Sequence, residues 1–378
     1  MNTIFETILL SFAICYVSIP VIISIANIKK LHDEPSLRKV HQVPIPALGG
    51  VAIFAAVIIS LVYYVPFSSV PELQYLVPSS LILFFIGLKD DLLVISPFKK
   101  FIGQLLATFI LVYKGGFIID SFHGFLGYNQ LGPVLSVAFT CLTILMIINA
   151  FNLIDGVNGL AASLSIISCS FFGFIFYIDN QIPYSILSFS LVAALLAFLT
   201  FNWTPAKIFM GDTGSLFLGL VNSILVIKFI NSGEIRTNVV EISENALVGF
   251  AFLFIPLIDT LRVFAIRMLS GKSPFYSDVN HIHHLLLKRG LTHSQVTLSL
   301  SALAIAYSIL ILNVQSLGIN YGILILFVLG LLIPLLIDRK SYKLSGRKTE
   351  SAPDEIGVTE INTKTIISSS SHRSEINN

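Results

Sequence analysis

Apolar residues in this chain come in long blocks separated by short polar connections. A helix rises about 1.5 Å per residue and the hydrocarbon of a bilayer is about 30 Å thick, so about 20 mostly apolar residues are needed to cross it. Eleven blocks meet or approach that length: 4–26, 48–66, 72–88, 99–113, 133–151, 160–178, 184–202, 213–231, 247–266, 297–313 and 321–337. The third and fourth are the shortest and carry charge at their ends. The first lacks the small-residue exit of a cleaved signal peptide and is read as a helix. The expected fold is all-α, a polytopic membrane protein of about 11 transmembrane helices. Residues 1–337 are expected to form the multi-span transmembrane domain and 338–378 a polar, Ser/Thr/Lys/Glu-rich tail expected to be disordered.

Composition supports the membrane reading: 55% of the 378 residues are hydrophobic and 12% charged, with a mean hydropathy of +0.86. A soluble domain does not bury that much apolar surface. With 23 Lys and Arg against 21 Asp and Glu the net charge is +2, which excludes nucleic-acid binding through a strong basic field. Cys15, Cys141 and Cys169 lie inside apolar runs, unpaired in spacing, and read as small buried hydrophobes with no redox role.

The distribution of charge says more than the total. Connections numbered alternately put twelve Lys and Arg on one side, from Lys29 to Arg289, and only Lys114, Lys228 and Arg236 on the other. Cationic connections favour the cytoplasm, so the N-terminus is expected outside and the C-terminus inside. Arg339, Lys340, Lys343, Arg347 and Lys348 agree with that end and suit contact with anionic lipid.

Every chemically capable connection falls on this cytoplasmic side, in loops 27–47, 89–98, 152–159, 203–212 and 267–296. Arg38–Gly50 reads either as a positive-inside loop or as a close-approach loop, with prolines that fix extended backbone and a glycine pair. Asp90 and Asp91 sit together at a membrane boundary; adjacent carboxylates repel and are costly near lipid unless a cation or a substrate proton uses them, although a solvated loop pair is the plainer reading. In Asn149–Leu160 the oxygen donors Asn152, Asp155 and Asn158 are three apart. They share a face if the helix persists to the glycines, which would suit a hard cation; otherwise they mark a helix end and a turn. Asp212, opening an apolar helix after Gly211, suits N-capping and metal ligation equally. His281, His283 and His284 stand beside Lys288 and Arg289. Zinc is the poorer reading, because residues two apart point apart on a helix, and phosphate-facing donors fit better. Asp259 and Arg262 are expected to pair, and Trp203 to anchor at the interface.

Taken in order, HQVPIPALGG, GLKDD, NAFNLIDGVNGL, FMGDTGSL and HIHH cover residues from about 38 to 290. They resemble the polyprenyl-phosphate N-acetylhexosamine-1-phosphate transferase family, which includes initiators of O-antigen, enterobacterial common antigen and teichoic acid linkage-unit synthesis. The eleven-span topology is similar to the branch that uses UDP-N-acetylglucosamine rather than the ten-span translocase that carries a muramyl pentapeptide. Asn158 stands where many bacterial members show Asp and the eukaryotic branch shows Asn, a departure that bears on the donor sugar rather than on the reaction.

The resemblance implies transfer of a sugar 1-phosphate, GlcNAc-1-phosphate first, from a UDP-N-acetylhexosamine to a polyprenyl (undecaprenyl) phosphate at the plasma (inner) membrane, with UMP released. It implies Mg²⁺, or Mn²⁺ in its place, held by Asn152 and Asp212. It further implies Lys39 and Lys100 on phosphate oxygens, Asp90 orienting or deprotonating the lipid phosphate, and Asp91 supporting it. Phe209 would stack on uracil, Asp155 and Asn158 would read the nucleoside, and His281, His283 and His284 would contact diphosphate or sugar. It admits a homodimer. A secondary transporter is the rival from another class, but it would place polar residues near the midplane of mirrored halves, and neither feature is present.

Overall fold

A backbone in hydrocarbon must satisfy its N–H and C=O groups within its own segment, so the apolar blocks fold as helices. The computed structural model describes residues 2–31, 45–237, 240–271 and 281–332. Its helices are α1 (Asn2–Lys29), α2 (Gly49–Tyr64), α3 (Leu76–Leu92), α4 (Pro97–Phe109), α5 (Pro133–Ile154), α6 (Leu160–Ile178), α7 (Ile182–Asn202), α8 (Gly211–Ile230), α9 (Asn245–Phe252), α10 (Phe254–Leu269), α11 (Ile282–Lys288) and α12 (His293–Val314). A further apolar helix, α13, spans Ile319–Leu332. Pro97 and Pro133 open α4 and α5, at the position where a missing N–H leaves no bond unmade. Thr292 and Gln295 form a reciprocal capping box at the start of α12.

Among the described residues, seven helical segments are long and apolar enough to cross a membrane: α1, Pro71–Leu92, α5, α6, α7, α8 and His293–Leu317. α2 and α13 are apolar but shorter, and α4 runs on through one π turn, Ile110–Lys114. The protein is a mostly helical, multi-pass membrane protein. The named strands among the described residues are the two-residue β1 (Ile235–Arg236) and β2 (Glu241–Ile242), paired antiparallel.

The block expected to cross as one helix over 247–266 does not run straight. α9 and α10 meet at a bend of 79°, with Leu253 at φ −105°, ψ 8° between them. Pro256 accounts for the break: its ring would collide with the carbonyl of Phe252 in a continuous helix, and it has no N–H to donate. Lys39, with most of loop 27–47, residues 272–280 and the tail 338–378 lie outside the described residues.

α8 is the axis of the bundle. Of its most apolar window 94% is buried, against 17% for α1, so α1 presents its surface to lipid while α8 is surrounded by protein. Glycines let neighbours approach it at backbone distance, the small-residue packing that drives helix association in lipid. A Cβ on Gly87 of α3 would lie 2.5 Å from the Thr213 backbone, one on Gly219 2.5 Å from Ile148 Cα of α5, and Gly50 of α2 abuts Gly214. Deeper in, Asn222 donates to Ser165 Oγ (2.8 Å) and accepts from Ser168 Oγ (2.5 Å), tying α8 to α6.

Gly87→Ala should therefore drive α3 off α8. Overpacking against backbone costs about 1–3 kcal/mol, so a melting temperature lowered by several degrees in detergent is expected; an unchanged melt would show that the contact yields freely.

Candidate active site

Both α3 and α5 run antiparallel to α8. Glu72, just before α3, pairs with Lys228 at the far end of α8 (3.5 Å), while Asp91 at the end of α3 meets Asp212. On α5, Ile148 packs on Gly219 and Asn152 reaches Asp212. The C-terminal ends of α3 and α5 thus meet the N-terminal end of α8, and α4 crosses beside them.

At this junction Lys100 of α4 forms an ion pair with Asp212 Oδ2 and reaches Asn152 Oδ1 (3.1 Å) and Asp90 Oδ2 (3.4 Å). Asn152 in turn donates to Asp212 Oδ1 (2.9 Å) and Ser215 Oγ (2.9 Å), which fixes its amide with the oxygen toward the ammonium. Asp90 accepts the Ile95 N–H at 2.9 Å. Oxygens from three helices converge on one cation. Among the described residues no three His, Cys, Asp or Glu side chains are grouped to hold a metal. The converging set is two carboxylates and an amide, all hard oxygen donors, which is the chemistry Mg²⁺ takes when substrate phosphates and waters complete its shell.

Asp90, Lys100, Asn152 and Asp155 line a cavity of about 430 Å³ together with Arg267, His281, His283 and His284, while Asp212 lies just outside the lining, paired with Lys100. The Asp259–Arg262 pair expected from spacing is present at 3.2 Å. Burial, and next the charges of Asp212 and Asp91, hold the Asp155 carboxyl well above the usual carboxylate range. Burial, reinforced by His284, pushes the His283 imidazole down to about 3, so that ring is neutral at physiological pH.

Several expectations need correcting. Asp91 does not line the cavity beside Asp90. Its Oδ1 accepts the Asp212 N–H (2.6 Å) and its Oδ2 accepts the Thr213 N–H (3.0 Å) and hydroxyl (2.6 Å), so Asp91 caps α8 from another helix. Asp212 is not the cap; Met210 holds that backbone position without a side-chain bond. Asn152, Asp155 and Asn158 do not share one face, because α5 ends at Ile154 and Gly159 adopts φ +75°. Asn158 turns inward, 6% exposed, toward Thr204 Oγ1 (3.4 Å). His281 and His283 do not point apart either: His281 is the extended residue before α11, and the two rings stack with centroids 5.6 Å apart. Phe209 is half-buried beside the cavity rather than in its lining, its backbone bonded to Pro46 and Gly49.

Gln104, Asn149 and Arg267 line the cavity and were not singled out. The first two bond each other at 2.9 Å. Their signal was in the helical period, since Gln104 follows Lys100 by four residues and Asn149 precedes Asn152 by three, each putting an amide on the same face of an apolar helix.

The profile of glycosyl transferase family 4 matches residues 73–230, which include the ends of α3 and α5 and the start of α8. A Bacillus subtilis protein named probable undecaprenyl-phosphate N-acetylglucosaminyl 1-phosphate transferase is 33% identical over 278 residues, 73% of this chain and 75% of its own length. The chain belongs to glycosyl transferase family 4. Two other relatives carry the name undecaprenyl-phosphate alpha-N-acetylglucosaminyl 1-phosphate transferase. The Yersinia pestis protein is 29% identical over 79% of this chain and 80% of its own length. The Escherichia coli K12 protein is 30% identical over 73% and 75%. Within the family segment of this chain, the two adjacent carboxylates divide their work: Asp91 holds the fold and Asp90 faces the cavity.

That division is measurable. Asp91→Asn leaves one oxygen where two accept three donors, and each unmet buried group costs about 1–3 kcal/mol. Its melting temperature should fall well below the wild-type value while Asp90→Asn melts near it; equal melts would remove the capping role.

Proposed function

We propose that the chain transfers GlcNAc-1-phosphate from UDP-GlcNAc to undecaprenyl phosphate, giving the lipid diphosphate sugar and UMP. The observation that carries this reading is the convergence of Asp90, Asn152 and Asp212 on one cation at the end of an apolar bundle, at a cavity also lined by Arg267 and histidines. The names of the family relatives support the same donor and acceptor. The charge asymmetry of the connections supports eleven crossings with the cavity on the cytoplasmic face of the plasma membrane, where a water-borne nucleotide sugar is available.

In this reaction an oxygen of the lipid phosphate attacks the phosphorus that bears the sugar. A new P–O–P linkage forms, the old one breaks, and UMP leaves with the electron pair. Two anions must approach, so positioning and charge neutralisation supply most of the rate. Asp212 and Asn152, with Asp90 beside them, would hold Mg²⁺, whose chemistry is that of a Lewis acid and template on the donor diphosphate. Lys100 neutralises the same carboxylates, and its compact ammonium is free to turn to a phosphate oxygen. Asp90 orients the lipid phosphate; because the second pKa of a phosphate monoester is about 6, little base strength is needed. Phe209, Asn158 and Asp155 are assigned to the nucleoside side, where Asn202 ties their two loops by accepting from Gly159 N (2.7 Å) and donating to Ile208 O (2.8 Å).

Purified protein with Mg²⁺, polyprenyl phosphate and a panel of UDP-sugars should release UMP and yield a lipid of the mass expected for GlcNAc-diphosphate-polyprenol. Release from another UDP-N-acetylhexosamine or from UDP-MurNAc-pentapeptide would reassign the donor, and no release from any would end the reading. Asp212→Asn should abolish UMP release, and chelation of the divalent ion should do so reversibly in the wild type, with membrane insertion intact; full activity in either case would remove the metal assignment.

Asp90→Asn should lower kcat by about 10²-fold or more, the scale of a lost general-acid–base contact, with donor KM little changed. A comparable loss confined to KM would make Asp90 a donor-binding residue.

A further inference from the structure

Behind the histidine wall lies Asp259, 1% exposed. Its Oδ1 accepts the Ile282 N–H (3.0 Å) and Arg262 Nη2 (3.2 Å), and its Oδ2 sits 3.0 Å from His281 Nδ1. His281 is 3% exposed and lines the cavity, yet its Nε2 has no hydrogen-bond partner among the described residues. A buried polar atom without a partner at a cavity wall is a contact waiting for a ligand.

A carboxylate at Nδ1 requires Nδ1–H, which fixes the ring's orientation and tautomer. We propose that Asp259 is a positioning residue for the transfer: by holding the Nδ1–H of His281, it aims that ring's Nε2 into the cavity as the proton-bearing contact for a donor phosphate oxygen. This deepens the phosphotransfer reading and rests on it.

The three histidines are then not equivalent. His283 is 1% exposed with both ring nitrogens unpartnered. It stacks on His281 with an interplanar angle of 14°, and two stacked imidazolium rings would repel. Asp259 decides between them, because its charge lies against His281. The charged and titratable groups around His281 are Asp259, Arg262 and Arg267 from α10, His283 and His284 from α11, and Asp155, Asp90 and Lys100 across the cavity. An incoming diphosphate would add negative charge on the Nε2 side, so that carboxylate and phosphate would face the ring from its two nitrogens.

The test is a double-mutant cycle read as UMP release by the full-length protein, with kcat and donor KM measured separately. Asp259→Asn should lower kcat/KM by about 10- to 100-fold. Added to His281→Gln, Asp259→Asn should change kcat/KM by no more than about twofold. An equal loss in both backgrounds would overturn the proposal and leave Asp259 as a cap on Ile282. Asp259→Glu, which keeps the charge, is carried through the same cycle so that non-additivity stays measurable if the Asn variant does not fold. Wild-type UMP release separates the two failures: its absence sinks the phosphotransfer reading, and its presence with additive mutations sinks only this one.

Discussion

The arrangement depends on how the first turn of α8 is satisfied. A helix begins with four N–H groups that have no partner in the helix, and here they lie where three helix ends crowd out water. Asp91 meets two of them and the Thr213 hydroxyl. A buried carboxylate and the positive end of a helix are each unfavourable alone and offset each other when paired. A Cβ on Gly211, at φ +73°, would fall 2.7 Å from the Asp91 oxygens, so the chain there must approach without a side chain. The end of α3 and the start of α8 are thereby one joint, and Asp90 and Asp212 cannot be displaced independently.

From that joint the cavity acquires two walls of opposite character. In one, Asp90 and Asn152 share the ammonium of Lys100 with Asp212; the other is made of Arg267 and the stacked histidines. A donor diphosphate needs cationic partners along its length while the attacked phosphorus needs its acceptor held in line. A wall that concentrates a cation and a wall that supplies N–H donors divide those tasks. The bend at Leu253 makes the second wall: it turns α10 so that Phe264 and Arg267 reach the cavity that α5 lines with Asn149 and Asn152.

The parity of the connections was enough to bring Asp90, Lys100, Asn152, Asp155 and Asp212 to one end of the bundle, because apolar blocks and alternating sides are properties of sequence alone. What spacing could not show is where a helix stops. Asn152, Asp155 and Asn158 look like one face until α5 ends at Ile154, and His281 and His283 look opposed until the chain before Ile282 proves extended. Asp90 and Asp91 are indistinguishable as a string; the 100° turn between successive helical residues sends one to the cavity and the other to α8. The tie between Asp259 and His281 joins positions 22 residues apart, with no local period to reveal it.

The surroundings of the cavity mouth follow from the proposed substrates. A polyprenyl chain leaving the bilayer would expose its CH₂ groups at about 0.8 kcal/mol each, so the acceptor phosphate must be met at the membrane surface while its tail stays in lipid. The connection between α3 and α4 has the composition this demands. Leu93, Val94 and Phe98 are 67, 95 and 70% exposed, within a few residues of Asp90 and Lys100. In a soluble enzyme an apolar strip beside the most polar pocket would be an aggregation hazard. At a bilayer surface, on the proposed reading, such a strip would let the protein sit deep enough for a lipid-tethered phosphate to reach Asp90 without withdrawing its tail, the geometric condition for a water-borne nucleotide and a membrane-bound acceptor to react in one cavity.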